Sequence, residues 1–213
     1  MFTKKSAALW WKRPVDVVVA TAGIVLSFPL MGVIAAGIKL TDGGPVLYKQ
    51  ERPGLQGKPF TLYKFRTMHP DNGKILEEYL KKNPKAMEEW KKYKKLKEHD
   101  PRLTPIGKFL RKLSLDELPQ LFNVLKGDMS IVGPRPYLWQ ELKEHNIPKE
   151  TVEEILSVKP GITGLWQVSG RNELPFSERI RLDLEYVRTV SFKKDIWIMF
   201  KTFYVVLTGK GAY

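Results

Sequence analysis

The chain has 213 residues, enough for one compact domain with an appendage and a full hydrophobic core. It contains no cysteine, which excludes disulfides and thiolate metal sites and is consistent with a reducing compartment. Basic residues number 36 against 23 acidic ones, a net +13 that favours phosphate-rich partners such as nucleic acid, nucleotides or anionic lipid, with an ordinary solvated basic surface as the plain alternative.

The N-terminus carries Lys4, Lys5, Lys12 and Arg13 beside Trp10 and Trp11, a pairing of amphipathic rings and cations that suits the headgroup region of a bilayer. From Val15 to Ile38 the chain is apolar apart from Asp16 and small polar residues, long enough to span ~30 Å of hydrocarbon as a helix. A secretory signal has a shorter apolar core and a cleavage site, so that reading is rejected. A single ordinary span is one reading. Against it, Pro29 removes a backbone hydrogen bond at the centre, with Ser27 able to satisfy a freed carbonyl, and cations flank both ends of the run. A helix that breaks at Ser27-Phe28-Pro29 and returns to the face it entered meets both observations.

The turn formers Thr41-Asp-Gly-Gly-Pro45 mark a boundary, giving a membrane segment at 1–41 and a domain at 42–213. Val46–Tyr48 and Phe60–Tyr63 read as a short hairpin, the second strand running into Lys64 and Arg66. Residues 74–99 read as two charged helices broken at Asn83-Pro84, each with a narrow apolar face. The lysine run at 91–95 is read as a solvated face, and His69 and His99 lack partners at zinc-ligand spacing. A short basic helix follows at 106–112.

Ser114-x-x-Glu117 has the spacing of a capping box ahead of the apolar positions Leu118, Leu121, Phe122 and Leu125, with Gly127 placed to end the helix and Pro119 to bend its first turn. Local signals thus make Glu117 a cap. Asp116 at a helix N-terminus would be held ionised, hence nucleophilic, with Arg111 and Lys112 nearby. Two neighbouring carboxylates can hold Mg²⁺ while substrate phosphates fill its other positions, and phosphoryl transfer is the chemistry that uses all of these together. Further on, a rigid loop presents Arg135, a polar helical segment covers 139–156, and Gly161, Gly164 and Gly170 permit close backbone approach to a ligand, with Arg171 at the end. No Gly-x-Gly-x-x-Gly or Walker loop is present. Helices at 176–190 and 192–207 close the chain, the last either interfacial or core-packed.

Taken in order, Lys12-Arg13-x-x-Asp16, the Pro-containing apolar helix, Gln50-Glu-Arg-Pro-Gly54, Tyr63-Lys-Phe-Arg-Thr-Met68, Leu113-Ser-Leu-Asp-Glu-Leu118, Lys126-Gly-Asp-Met-Ser130, Gly133-Pro-Arg-Pro136, Lys159-Pro-Gly-Ile-Thr-Gly164 and Gly170-Arg-Asn172 closely resemble the bacterial sugar transferase family, the monotopic polyprenyl-phosphate phosphoglycosyl transferases. The resemblance implies a mixed, helix-rich α/β cytosolic domain with a re-entrant membrane helix and interfacial amphipathic helices, on the cytoplasmic face of the bacterial inner membrane. It implies transfer of a sugar-1-phosphate from a UDP-sugar to polyprenyl (undecaprenyl) phosphate with release of UMP. It assigns Asp116 as nucleophile, Glu117 as Mg²⁺ ligand, Lys64, Arg111, Arg135 and Arg171 as phosphate or nucleotide contacts, and Pro29 with Ser27 as the helix break, although the family has an adjacent Ser-Pro and Phe28 intervenes here. Implied partners are the UDP-sugar, the polyprenyl phosphate, the bilayer and a second copy in a homodimer, not nucleic acid. The helical insertion and the C-terminal ending look like the branch using UDP-hexoses. Many of that branch carry an extra multi-span N-terminal region, so a minimal form or a truncated piece is expected. The competing reading is a membrane-tethered basic module that binds anionic lipid or nucleic acid.

Overall fold

A computed structural model describes residues 9–93, 96, 99–170 and 174–208. The apolar run forms one long helix, α1 (Lys12–Asp42), closed by Gly43 at φ 68°, whose N–H reaches the Lys39 carbonyl. Only one face of α1 is covered, by Ala20, Met31, Ile34 and Ile38. The opposite face leaves Val18, Leu26, Phe28, Val33 and Leu40 in the open, Leu26 at 82% and Leu40 at 86% exposure. Helical structure continues through Pro29, so the helix is not interrupted where the break was expected, at a residue that bends helices without always ending them. Pro29 lacks the donor that would meet the Val25 carbonyl. The Ser27 hydroxyl does not serve that carbonyl, since it donates one turn earlier to Gly23 at 2.6 Å.

Polar interactions fix both ends of α1 to the rest of the protein. At its start the Lys12 ammonium is drawn inward, donating to the Val132 carbonyl at 2.8 Å, to Tyr186 at 3.0 Å and to Asp195 at 2.6 Å. Arg13 donates to the Val124 and Leu125 carbonyls, and the buried Asp16 accepts from Ser130 Oγ and the Ile131 N–H. These cations therefore bond to protein, not to lipid headgroups as their position beside Trp10 and Trp11 suggests. At the far end Asp42 is ion-paired with Arg66, which also donates to the Pro45 carbonyl.

An antiparallel hairpin follows, β1 (Leu47–Pro53) and β2 (Pro59–Phe65), in register from Leu47 opposite Phe65 to Pro53 opposite Pro59. The expected pair of charged helices is present as α2 (Asn72–Lys82) and α3 (Pro84–Tyr93), separated at Asn83. The side chains of 91–95, where the lysine run falls, lie outside the described residues. The basic helix is α4 (Pro105–Lys112), and after a three-residue 3-10 turn the chain enters α5 (Gln120–Lys126). Asn123 of α5 completes the free edge of β2: its amide oxygen accepts from the Tyr63 N–H at 3.1 Å and its amide nitrogen donates to the Thr61 carbonyl at 2.7 Å. Polar edge groups are thereby paired by a side chain in place of a strand.

Beyond α5 lie β3 (Ser130–Val132), α6 (Trp139–Glu144), α7 (Lys149–Ile155), β4 (Gly161–Thr163), α8 (Leu165–Ser169), α9 (Phe176–Thr189) and α10 (Phe192–Thr208). β3 and β4 pair in parallel, Ser130 opposite Gly161 and Val132 opposite Thr163. The glycines here allow the chain's own backbone to approach closely: a Cβ on Gly161 would stand 2.1 Å from the Gly133 nitrogen, and one on Gly164 2.2 Å from the Gly133 carbonyl oxygen. The main core joins Leu62 of the hairpin, Val124 and Met129, Val132, Trp166, and Tyr186 and Ile198 of the last two helices. α10 is both core-packed and exposed: Asp195 and Ile198 are buried, while Trp197, Phe200, Phe203 and Tyr204 face outward.

Breaking a buried ion pair by removing one partner costs about 3–5 kcal/mol, because the other charge stays desolvated. Lys12→Met is expected to lower unfolding free energy by about 3 kcal/mol. Adding Asp195→Asn recovers part of that loss, as read by denaturant titration in detergent.

Candidate active site

The site begins with the capped helix α4. Thr104 accepts the Gly107 N–H at 2.9 Å, and the helix carries Arg111 in its last turn. Ser114 then takes a left-handed conformation, φ 56° and ψ 22°, a strained setting for a residue with a Cβ that turns the chain sharply. Leu115–Glu117 form the 3-10 turn, and Pro119 stands at the start of α5.

This corrects the capping box. The Ser114 side chain makes no capping bond, and its carbonyl, not its hydroxyl, meets the Glu117 N–H, at 3.3 Å. The Glu117 carboxylate reaches across to Lys64 of β2 at 2.7 Å. Asp116 likewise sits in a turn too short to have a substantial dipole, so a helix N-terminus is not what sets its charge. It is 9% exposed, and burial, with the adjacent Glu117 adding to it, pushes its pKa up to about 6 against the pull of Lys64 and Arg111.

Asp116, Glu117, Lys64 and Arg111 therefore come together. Burial depresses the Arg111 pKa, and Asp116 opposes that effect. Its Nε donates to Thr67 Oγ1 at 3.0 Å. Glu117 and Asp116 offer hard oxygen donors, and no group of three or more metal-ligating side chains occurs among the described residues. A buried carboxylate resisting ionisation beside a second one fits Mg²⁺ held by protein on one side and ligand phosphates on the other.

Arg135 belongs to a second cluster. Its backbone N–H donates to Asp183 at 3.2 Å, as does the Tyr137 hydroxyl at 2.8 Å, and its guanidinium lies over the Trp166 ring at 5.6 Å. Arg179 lies over the same ring at 5.1 Å. Arg52 donates to the Pro136 carbonyl at 3.0 Å and pairs with Glu141 at 3.4 Å. Burial pushes Asp183, wholly enclosed, up to about 7. Tyr48, Gln50 and Arg52 alternate along one face of β1, with Tyr48 opposite Lys64. Four residues of strand put Arg52 about 13 Å from that position. Arg171 lies outside the described residues. Sequence reasoning did not single out Arg52, Arg179, Trp166 or Asp183. Arg52 was visible within Gln50-Glu-Arg-Pro-Gly54, and Arg179 and Asp183 sit four apart on one helical face.

Asp116, Glu117, Lys64 and Arg111 thus form one charged site at the end of the hairpin, and Arg52, Arg135 and Arg179 a second one. The chain belongs to the bacterial sugar transferase family, whose model matches residues 7–209. It is 48% identical over 210 residues to the undecaprenyl-phosphate galactose phosphotransferase of Salmonella typhimurium, covering 98% of this chain and 43% of that protein. It is 40% identical to the UDP-glucose:undecaprenyl-phosphate glucose-1-phosphate transferase of Escherichia coli, over 95% of this chain and 41% of that one. The exopolysaccharide production protein ExoY of Rhizobium meliloti is 44% identical, over 95% of this chain and 88% of that protein. The chain thus spans less than half the length of the first two relatives.

In the metal-free protein the Asp116 carboxyl is expected to titrate near pH 6. Glu117→Gln removes a like charge, favours the ionised form and moves that titration downward. Carbon NMR of aspartate-labelled protein reads both.

Proposed function

We propose that this protein transfers a sugar-1-phosphate from a UDP-hexose to polyprenyl phosphate at the cytoplasmic face of the bacterial inner membrane, an early step in building a surface polysaccharide. The observation that carries this reading is Asp116 itself: a buried carboxylate beside Glu117, with Lys64 and Arg111 on either side. The Asp116 oxygen attacks the sugar-linked phosphorus. The bond from that phosphorus to the oxygen bridging to UMP breaks, and UMP leaves with the electron pair. An oxygen of polyprenyl phosphate then attacks the same phosphorus, releasing the Asp116 carboxylate and forming the diphosphate-linked lipid.

Each residue has a task in this scheme. Lys64 and Arg111 offset charge on the phosphates, where positioning and neutralisation make up most of phosphoryl-transfer catalysis. Glu117, beside Asp116, would hold Mg²⁺, which supplies further neutralisation of the diphosphate when bound. Arg52, Arg135 and Arg179 form the nucleotide end, displaced along the hairpin by roughly the reach of a nucleoside diphosphate sugar. Burial keeps the nucleophile away from bulk water, which would otherwise hydrolyse the intermediate.

The lipid acceptor requires the site to lie at the membrane surface, and α1 supports that. Its outer face is apolar over most of its length, yet both of its ends pair with the same domain, Lys12 with Asp195 and Asp42 with Arg66. A helix that crossed the bilayer would carry one of those polar anchors to the opposite side. We therefore read α1 as entering and leaving the bilayer on one face.

Asp116→Asn is expected to abolish UMP release from UDP-glucose or UDP-galactose, with melting temperature unchanged. Retention of substantial Mg²⁺-dependent release would falsify the nucleophile assignment. Because the chain lacks cysteine, single cysteines at Trp10 and Leu40 report topology cleanly. Both are expected to react with an impermeant reagent only from the cytoplasmic side, and protection of one alone would contradict the re-entrant reading.

A further inference from the structure

Arg111 is steered by a single protein hydrogen bond. Its Nε–H donates to Thr67 Oγ1 at 3.0 Å, and among the described residues no other protein acceptor takes a hydrogen bond from the guanidinium, so its terminal N–H groups remain available. A guanidinium presents five donors in a planar fork, and fixing the one at Nε sets the direction of the other four.

Thr67 is itself held rigidly. It is 6% exposed, and its carbonyl accepts the Thr104 N–H at 3.1 Å. The Thr104 hydroxyl caps α4, the helix that bears Arg111. Gly107 is pressed against the Thr67 backbone so closely that a Cβ there would lie 2.0 Å from the Thr67 carbonyl oxygen. Gly107 and Arg111 are four residues apart and share a helical face, so the face pressed against Thr67 is the one that presents Arg111. The cap of α4 and Gly107 thus meet the Thr67 carbonyl, and the arginine meets the Thr67 hydroxyl, two residues past the end of β2.

We infer that Thr67 is a positioning residue for the proposed reaction: its hydroxyl aims the Arg111 guanidinium so that the terminal N–H groups face the phosphate that Asp116 attacks. The inference rests on the sugar-phosphate transfer reading given above. Asp100, buried and forked onto Arg102 through bonds of 2.8 and 2.6 Å, is the other acidic group acting on Arg111, but it shares no hydrogen bond with that guanidinium among the described residues. Among the described residues, Thr67 is the hydrogen-bond acceptor that fixes its direction.

Thr67→Val keeps the side-chain shape and removes the acceptor, whereas Thr67→Ser keeps it. With the full chain in detergent, UDP-hexose and polyprenyl phosphate, Thr67→Val is expected to lose roughly ten-fold in kcat, the scale of one hydrogen bond to a charged group, with KM nearly unchanged. Thr67→Ser is expected to stay near wild type. Arg111→Lys has no Nε–H to aim, so adding Thr67→Val to it should cost nothing further. Thr67→Ala, run in parallel, removes the same hydroxyl should the valine variant fail to fold. Wild-type kcat in both hydroxyl-free variants, or a loss that multiplies with that of Arg111→Lys, would overturn the inference. Full activity in Asp116→Asn would instead overturn the underlying reaction, whatever Thr67 does.

Discussion

The ammonium of Lys12, enclosed among the Val132 carbonyl, the Tyr186 hydroxyl and the Asp195 carboxylate, decides where an apolar helix may go. A desolvated cation with three partners is costly to release, because the acid left behind stays buried and burial already raises its pKa. The same first turn supplies Arg13 to the exposed carbonyls at the end of α5 and Asp16 to the start of β3. Those bonds satisfy groups that a helix end and a short strand leave open. The apolar helix and the charged site are therefore one structure: α1 is positioned by the elements that follow the turn bearing Asp116 and Glu117.

From that anchor the arrangement of the site follows. α1 rests on α4 through Met31, Ile34 and Ile38, in one apolar cluster with Phe65 and Leu110, and the turn bearing Asp116 and Glu117 follows α4 directly. Asn123 fastens α5 to β2, which delivers Lys64 to Glu117. The result places the buried Asp116 beside Glu117. Desolvation and repulsion from Glu117 both disfavour Asp116 ionisation, while Lys64 and Arg111 oppose them. Such a balance is poorly suited to stability, and under the proposed function it suits a ligand that brings phosphate and a divalent cation together.

Much of this architecture was legible in the residues, for identifiable reasons. Asn83-Pro84 divided two helices because proline disfavours helical geometry before it, and the Phe60–Tyr63 strand was readable from its aromatic and β-branched residues. The β3–β4 pair was not, since strands of three residues carry no period and their partners lie thirty-one positions apart. Glu117 misled in an instructive way. A capping-box spacing is satisfied locally, whereas the partner that captured Glu117, Lys64, comes from a strand distant in sequence. The glycines at 161 and 164 were ambiguous, because close approach looks the same in sequence whether the neighbour is a ligand or the chain itself. Lys12 and Arg13 were read as headgroup contacts from composition, and only tertiary structure shows them turned inward.

The central claim, that a buried aspartate carries the transferred group, is tested most directly by intact mass spectrometry of the protein after a pulse of UDP-hexose without lipid acceptor. The account predicts a gain of one hexose phosphate, mapped to the peptide containing Asp116, that disappears when polyprenyl phosphate is added. An unmodified protein that nevertheless transfers sugar phosphate once acceptor is present would contradict it.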